Sequence, residues 1–507
     1  AVRRHGLRVL ENLLLDDVPA AFHAGTQDIL LIAFGLAVTE FLATTSPTGA
    51  PVAVDVEGHG RHEDLAGLDA GVDLSRTVGW FTAKYPVALK TAALPWNQVR
   101  AGDAALGGVV KNAKEQLRAL PDGLTYGLLR YLNPDAGLDA QDPTIAFNYL
   151  GRLGGPSGDG WQISPDGLSL AGVAAALPLA LMHTVELNAA TLDTDAGPRL
   201  RADWTWAPSA LDAEQISRLS RLWFEALEGI CAHVRGGGGG LTPSDIAPAR
   251  LTQQQIDELQ SHGPVADVLP LTPLQQGLLY HASTAQAGDL YAMQLDIELR
   301  GPLDVQRLRD AVQAVVDRHP HLAAQFSEQF DEPVQIIPAH PTVPWRYVES
   351  DPDGDADAQV QRLCVDERAA VCHLADQPAL RAALIRIAPD RHRFLLTTHH
   401  IVLDGWSMPI LLQEIFASYR GQRLPAATPY RSFITWLADR DVPAAHAAGY
   451  VATRDRRRYL HPQQPERGRD GEPEQGHAFA FIGRRQGQAD GRAECQQHER
   501  DRGRQYR

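Results

Sequence analysis

Cysteine is scarce in this chain of 507 residues. Cys231, Cys364, Cys372 and Cys495 lie far apart and form no CxxC pair, which argues against a disulfide framework and fits a reducing, cytoplasmic setting. Positive charge is short as well. The 47 Lys and Arg against 62 Asp and Glu leave a formal net charge of -15, which cannot neutralise phosphates in bulk and argues against nucleic-acid binding. Lysine is nearly absent, and the arginine-rich composition suits a GC-rich genome. No apolar run approaches the roughly 20 residues that span a bilayer, and Ala1-Val2-Arg3-Arg4-His5 does not lead into a signal peptide. Gly236 to Gly240 is an uninterrupted glycine run, but Leu241-Thr242 follows where a phosphate-binding loop needs Gly-Lys-Ser/Thr. It reads as flexible chain. What is present, 44% hydrophobic and 21% charged residues, suits a soluble globular protein of two to four domains. The first residue is not Met, the expectation being a piece of a longer protein.

One stretch organises the rest: Phe394-Leu395-Leu396-Thr397-Thr398-His399-His400-Ile401-Val402-Leu403-Asp404-Gly405-Trp406-Ser407. Apolar and β-branched residues run up to two histidines and an Asp-Gly turn signal closes the run, as in a buried strand ending in a loop. A strand alternates its faces, so His399 and His400 point to opposite sides and only one addresses a given cleft. They cannot share one metal ion, and no further ligands stand at a usual zinc spacing, so no metal is expected. A single histidine at a strand end is more often structural than catalytic. The pattern HHxxxDGWS nevertheless resembles the active-site signature of the condensation domains of nonribosomal peptide synthetases, of the chloramphenicol acetyltransferase-like fold. In that family the second histidine faces the channel, here His400.

Other stretches strengthen the resemblance. Leu269-Pro270-Leu271-Thr272-Pro273-Leu274-Gln275-Gln276-Gly277 is similar to the opening motif of a condensation domain. Arg318-His319-Pro320-His321-Leu322 is similar to its second, with Ala323 where the family carries another arginine, and Tyr430 to Trp436 to its fourth. The resemblance implies peptide-bond formation between a donor thioester and an acceptor amine. An α-amino group titrates near pH 8 and imidazole near 6.5, so a positioned His400 can accept or relay that proton. Holding two tethered substrates together supplies rate as well. Asp404 is expected to support the loop by pairing with a buried Arg318 rather than to act on substrate. Gly405 is expected to allow close backbone approach, and His399 to pack or hold the backbone.

The first half carries different signatures. A helix is predicted over Asp28 to Val38 and a strand over Pro51 to Val56, which runs into Asp55-Val56-Glu57-Gly58-His59-Gly60-Arg61. Arg76 to Pro86, Pro121 to Tyr131 and Ile145-Ala146-Phe147-Asn148-Tyr149-Leu150-Gly151-Arg152 follow. In this order and spacing the four resemble the later motifs of epimerization domains of the same synthetases, over roughly residues 10 to 235. The implied chemistry is racemisation at the α-carbon of a carrier-bound thioester, which needs acid and base on opposite faces and a stabilised enolate. By resemblance Glu57 is one acid/base, a role that calls for partial burial. Tyr149 and Asn148 stand beside the reacting centre. The partner histidine is expected from an HHxxxD motif that does not occur before Glu57, so this site is half present. Two strands are predicted around Asp195-Ala196-Gly197-Pro198, and a helix opening at Ser209, whose stripe Ile216, Leu219, Trp223, Leu227 and Ile230 is core packing.

The expected architecture is α/β: two chloramphenicol acetyltransferase-like sandwich lobes joined by a flexible linker, with a disordered tail. Residues 1–235 are the C-terminal lobe of an epimerization domain, 236–263 a glycine-rich linker with a short helix, 264–441 the N-terminal lobe of a condensation domain, and 442–507 a disordered or frameshifted tail. The resemblance implies L-to-D epimerization, then condensation of the D-configured donor. Substrates ride on the phosphopantetheine of carrier domains, with no cofactor bound directly. The partners are carrier domains and adjacent modules, with no nucleic acid, membrane or metal. The alternatives are an inert remnant or docking piece and a stand-alone acyltransferase.

Overall fold

The structure is a computed structural model. It describes residues 2–5, 12–43, 50–61, 74, 76–91, 94–138, 140–153, 181–194, 197–284, 291–351 and 354–440. The predicted tail lies outside the described residues.

The first half is built on a six-stranded mixed sheet. In chain order its elements are β1 (Val2–His5), α1 (Val18–Phe22), α2 (Thr26–Leu42), β2 (Val52–Gly58), β3 (Ala83–Leu89), α3 (Trp96–Ala101), α4 (Ala104–Arg118), α5 (Gly123–Leu132), β4 (Ile145–Leu153), β5 (Val185–Thr194), β6 (Gly197–Trp206) and α6 (Ala213–Arg235). The strand order is β1-β6-β5-β4-β2-β3, with β4 parallel to both β2 and β5. The β5–β6 hairpin stands at the turn expected from sequence. Val52, Val54 and Val56 leave one face of β2 and are buried, while Asp55 and Glu57 leave the other. Helix α2 is buried continuously from Ile29 to Val38, so it shows no polar stripe. Trp223 of α6 joins it, donating from Nε1 to the Leu30 carbonyl at 3.1 Å, and the predicted α6 stripe is core throughout. Helix α6 begins later than Ser209 predicts. Asp212 caps the Gln215 amide at 2.8 Å, and Gln215 returns a bond of the same length to the Asp212 amide.

The glycine run is not the free chain its composition suggests. The Gly240 amide donates to the Ala21 carbonyl at 2.7 Å, and Gly237, Gly239 and Gly240 all take positive φ. Beyond it Lys114 of α4, fully buried, donates to both Asp245 oxygens at 2.6 Å and to the Phe22 carbonyl at 2.8 Å. Lys111 pairs with Asp257 at 2.8 Å. Leu241, Ile246, Leu251 and Ile256 form a small core with Val268 and Val334. Side-chain partners and apolar burial thus order a segment whose sequence is locally permissive.

The second half continues with α7 (Gln253–His262), β7 (Val265–Pro270), α8 (Pro273–Thr284), β8 (Ala292–Arg300), α9 (Val305–Arg318), β9 (Gln325–Ser327), β10 (Val334–Pro338), β11 (Trp345–Glu349), α10 (Ala356–Val371), β12 (Leu380–Ala388), β13 (Arg391–His399), α11 (Ser407–Tyr419) and α12 (Tyr430–Ala438). A four-stranded sheet runs β11-β12-β13-β8 and a three-stranded one β7-β10-β9. The fold is mixed α/β. Strand β13 is central, buried from Phe394 to His399, and it carries the paired histidines to the sheet edge.

Candidate functional site

His399 ends β13 and is fully buried. Its Nδ1 accepts the Ile401 amide at 3.1 Å, and its ring lies 6.4 Å from that of Tyr291. His400, next in the chain, lines a cavity of about 700 Å³. The strand alternation therefore separates the two as the sequence requires. His400 Nδ1 stands 3.0 Å from the Leu403 carbonyl. A carbonyl only accepts, so Nδ1 carries the proton and Nε2 is left as an acceptor in the neutral ring. Gln275 of α8 holds this loop. It is buried and donates to the Ile401 carbonyl at 2.8 Å, a role its place in the opening motif did not reveal.

One expectation fails here. Asp404 does not pair with Arg318. It is exposed and accepts the Ser407 amide at 2.8 Å at the start of α11. The Ser407 hydroxyl and amide, with the Trp406 amide, hold its carboxyl below the usual carboxylate range. With such donors and water access it needs no buried cation. Arg318 pairs instead with Glu414 of α11 at 3.1 Å, beside His319 at 2.8 Å from the same oxygen, and donates to the Pro425 carbonyl. A Cβ at Gly405 would meet open space, so no protein neighbour demands glycine there.

Sequence reasoning missed two further residues that line the cavity. His321, from the second motif, stacks on Tyr430 with ring centroids 4.5 Å apart. Burial, with His319 adding to it, pushes His321 down to about 4, so it is neutral at physiological pH. Burial also raises the Tyr430 hydroxyl. The signal was the second histidine of Arg318-His319-Pro320-His321, a motif read only for its arginine.

The other predicted residues lie on the six-stranded sheet. Glu57 and Asn148 are registered neighbours on β2 and β4, and the Asn148 amide donates to Glu57 Oε2 at 2.9 Å. Gly60 takes φ +62°, and a Cβ there would fall 1.6 Å from the Phe81 carbonyl oxygen, so this turn admits only glycine. Tyr149 does not join Glu57. Next to Asn148 on β4, it points to the opposite face, packs on the core and meets the buried Thr191 hydroxyl at 2.8 Å. Among the described residues no group of three or more His, Cys, Asp or Glu is arranged to hold a metal ion. Among them, too, no single helix is long and apolar enough to cross a membrane.

Comparison with known proteins places these geometries in context. Residues 265–446 match the condensation domain family model. The chain is 34% identical over 456 residues to one of the linear gramicidin synthase proteins of Brevibacillus parabrevis, covering 85% of the chain and 8% of that protein. It is 29% identical over 450 residues to bacitracin synthase 3 of Bacillus licheniformis, covering 86% of the chain and 7% of that protein. The chain thus spans less than a tenth of the length of either. Among solved structures, the epimerization domain from the third module of tyrocidine synthetase B is 27% identical, covering 46% of this chain and 48% of that one, with a TM-score of 0.35.

Proposed function

The chain belongs to the nonribosomal peptide synthetase family through the condensation domain at residues 265–446, and from that premise we propose that it serves two successive steps on carrier-bound thioesters. The condensation half joins an acceptor amine to a donor thioester: the amine nitrogen attacks the thioester carbon, the carbon–sulfur bond breaks, and the carrier thiol leaves. The observation that carries this reading is the His400 hydrogen bond to Leu403, which leaves Nε2 as an acceptor in the cavity. The ring is oriented to take the amine's proton as the new bond forms. Substrates arrive on the phosphopantetheine arms of carrier domains, so carrier domains and adjacent modules are the partners.

The six-stranded half, in this reading, is an epimerization half-site in which Glu57 removes or returns the α-proton and Asn148 orients its carboxyl. The facing acid or base comes from a preceding lobe. Both halves are then chloramphenicol acetyltransferase-like lobes, and the condensation half receives a D-configured donor.

The test is peptide formation from carrier-bound donor and acceptor, with loss of α-deuterium from the donor followed in parallel. H400A is expected to lower the condensation rate about 10²-fold or more. Activity unaffected by H400A would remove His400 as the proton acceptor. Absence of both activities in the unmodified chain would favour an inert or docking role.

A further inference from the structure

The face of the six-stranded sheet that carries Glu57 holds a second set of charges that no motif names. Asp55 precedes Glu57 by two residues on β2, so both side chains leave the same face. Asp55 is only 3% exposed. Its Oδ2 lies 2.9 Å from His183 Nε2 and 3.2 Å from Lys84 Nζ. His183, itself buried, places Nδ1 at 3.1 Å from Glu186 Oε1. Ionised carboxylates only accept, so both contacts are satisfied together when both ring nitrogens carry protons.

Lys84 stands directly opposite Glu57 in the antiparallel register of β2 and β3. Opposed residues have Cβ atoms about 4.5–5.5 Å apart, so Lys84 shares this face with both carboxylates. The chain's lysines are only Lys84, Lys90, Lys111 and Lys114. Other groups near Glu57 are the neutral Asn148 on β4 and, after β2, exposed His59 and half-buried Arg61. The Arg61 amide donates to His59 Nδ1, and its guanidinium covers the Phe81 ring. His183 joins Asp55 to Glu186, and Lys84 joins Asp55 from β3, so the four side chains form one linked set. Removing Lys84 makes that set more negative by one charge beside Glu57, whereas neutralising Asp55 makes it more positive by one.

We propose that Lys84, held by the Asp55–His183–Glu186 chain, is a positioning residue that sets the protonation of Glu57. The catalytic meaning of this rests on Glu57 serving as an acid or base; the electrostatic link does not. The experiment is an NMR titration of the full chain carrying ¹³C-labelled glutamate, with the Glu57 carboxyl signal assigned through E57Q. K84M is expected to move the Glu57 midpoint to higher pH, by about half a pH unit. D55N is expected to move it to lower pH, and K84R to restore the unmodified position. Lys84 is 32% exposed, so K84M is a mild change, and D55N keeps the buried volume. Equal midpoints in all variants, or movement of K84M and D55N in the same direction, would overturn the proposal. Deuterium exchange at the α-carbon of a carrier-bound aminoacyl thioester reports separately on the function. No exchange in the synthetase with its preceding lobe present, with the midpoints still moving in opposite senses, would sink the epimerization reading and leave the link intact.

Discussion

His321 is kept neutral by where it sits. Burial and the neighbouring His319 push it down to about 4, below the ordinary 6.5. Between those values the unfolded chain binds a proton that the folded chain does not, so stability rises with pH. The contribution is fully present above about pH 6.5 and is lost as pH falls toward 4, amounting to at most about 3 kcal/mol. H321F keeps an aromatic ring against Tyr430 and is expected to flatten the fall of Tm across that window. His392, also lowered by burial, adds to the same slope and remains in the variant. An unchanged slope would remove His321 as a source. His400 was legible at this scale because strand alternation is local. The absence of an Arg318–Asp404 pair was not, because Glu414 lies some hundred residues from Arg318 and only packing of α9 on α11 brings them together.

Among the elements, the glycine run most clearly separates composition from structure. In a flexible linker Gly→Ala is neutral or stabilises by about 0.4–1 kcal/mol, because it restricts the unfolded chain. Here Gly239 takes φ +128° and a Cβ would come 2.5 Å from the Ala21 carbonyl oxygen. G239A is therefore expected to destabilise by about 1–3 kcal/mol in chemical denaturation. A neutral or stabilising result would return the run to the status of free chain. Strand β2 and the α6 stripe were readable from the pattern of apolar residues, and helix α2 from the length of its apolar run. The start of α6 was not, since Ser209 and Asp212 both carry capping side chains and only the folded backbone selects between them.

At the scale of the whole molecule, Asp245 links the two halves. Lys114 holds its carboxylate from α4, and Arg431 of α12 donates to its carbonyl at 2.8 Å while pairing with Asp267. Burial lowers Lys114 and Asp245 opposes that shift, the pattern of a buried cation kept charged by its partner. K114M leaves that carboxylate without its main cation, and breaking such a pair costs about 3–5 kcal/mol. The expected outcome is a lower denaturation midpoint with faster hydrogen exchange across residues 241–251. Exchange unchanged there would mean the segment is held without the pair.

The family was already legible in the chain, because motifs are runs of neighbouring residues whose types and spacing survive without coordinates. So were the strand that presents His400 and the turn that follows Glu57, both set by local periodicity and by glycine. Tertiary structure alone decided which groups meet: Arg318 with Glu414, Tyr149 turned from Glu57, His321 lining the same cavity as His400, and Lys84 opposite Glu57 with Asp55 and His183 behind it. Those pairings depend on the register and packing of segments distant in sequence, and no local pattern encodes them.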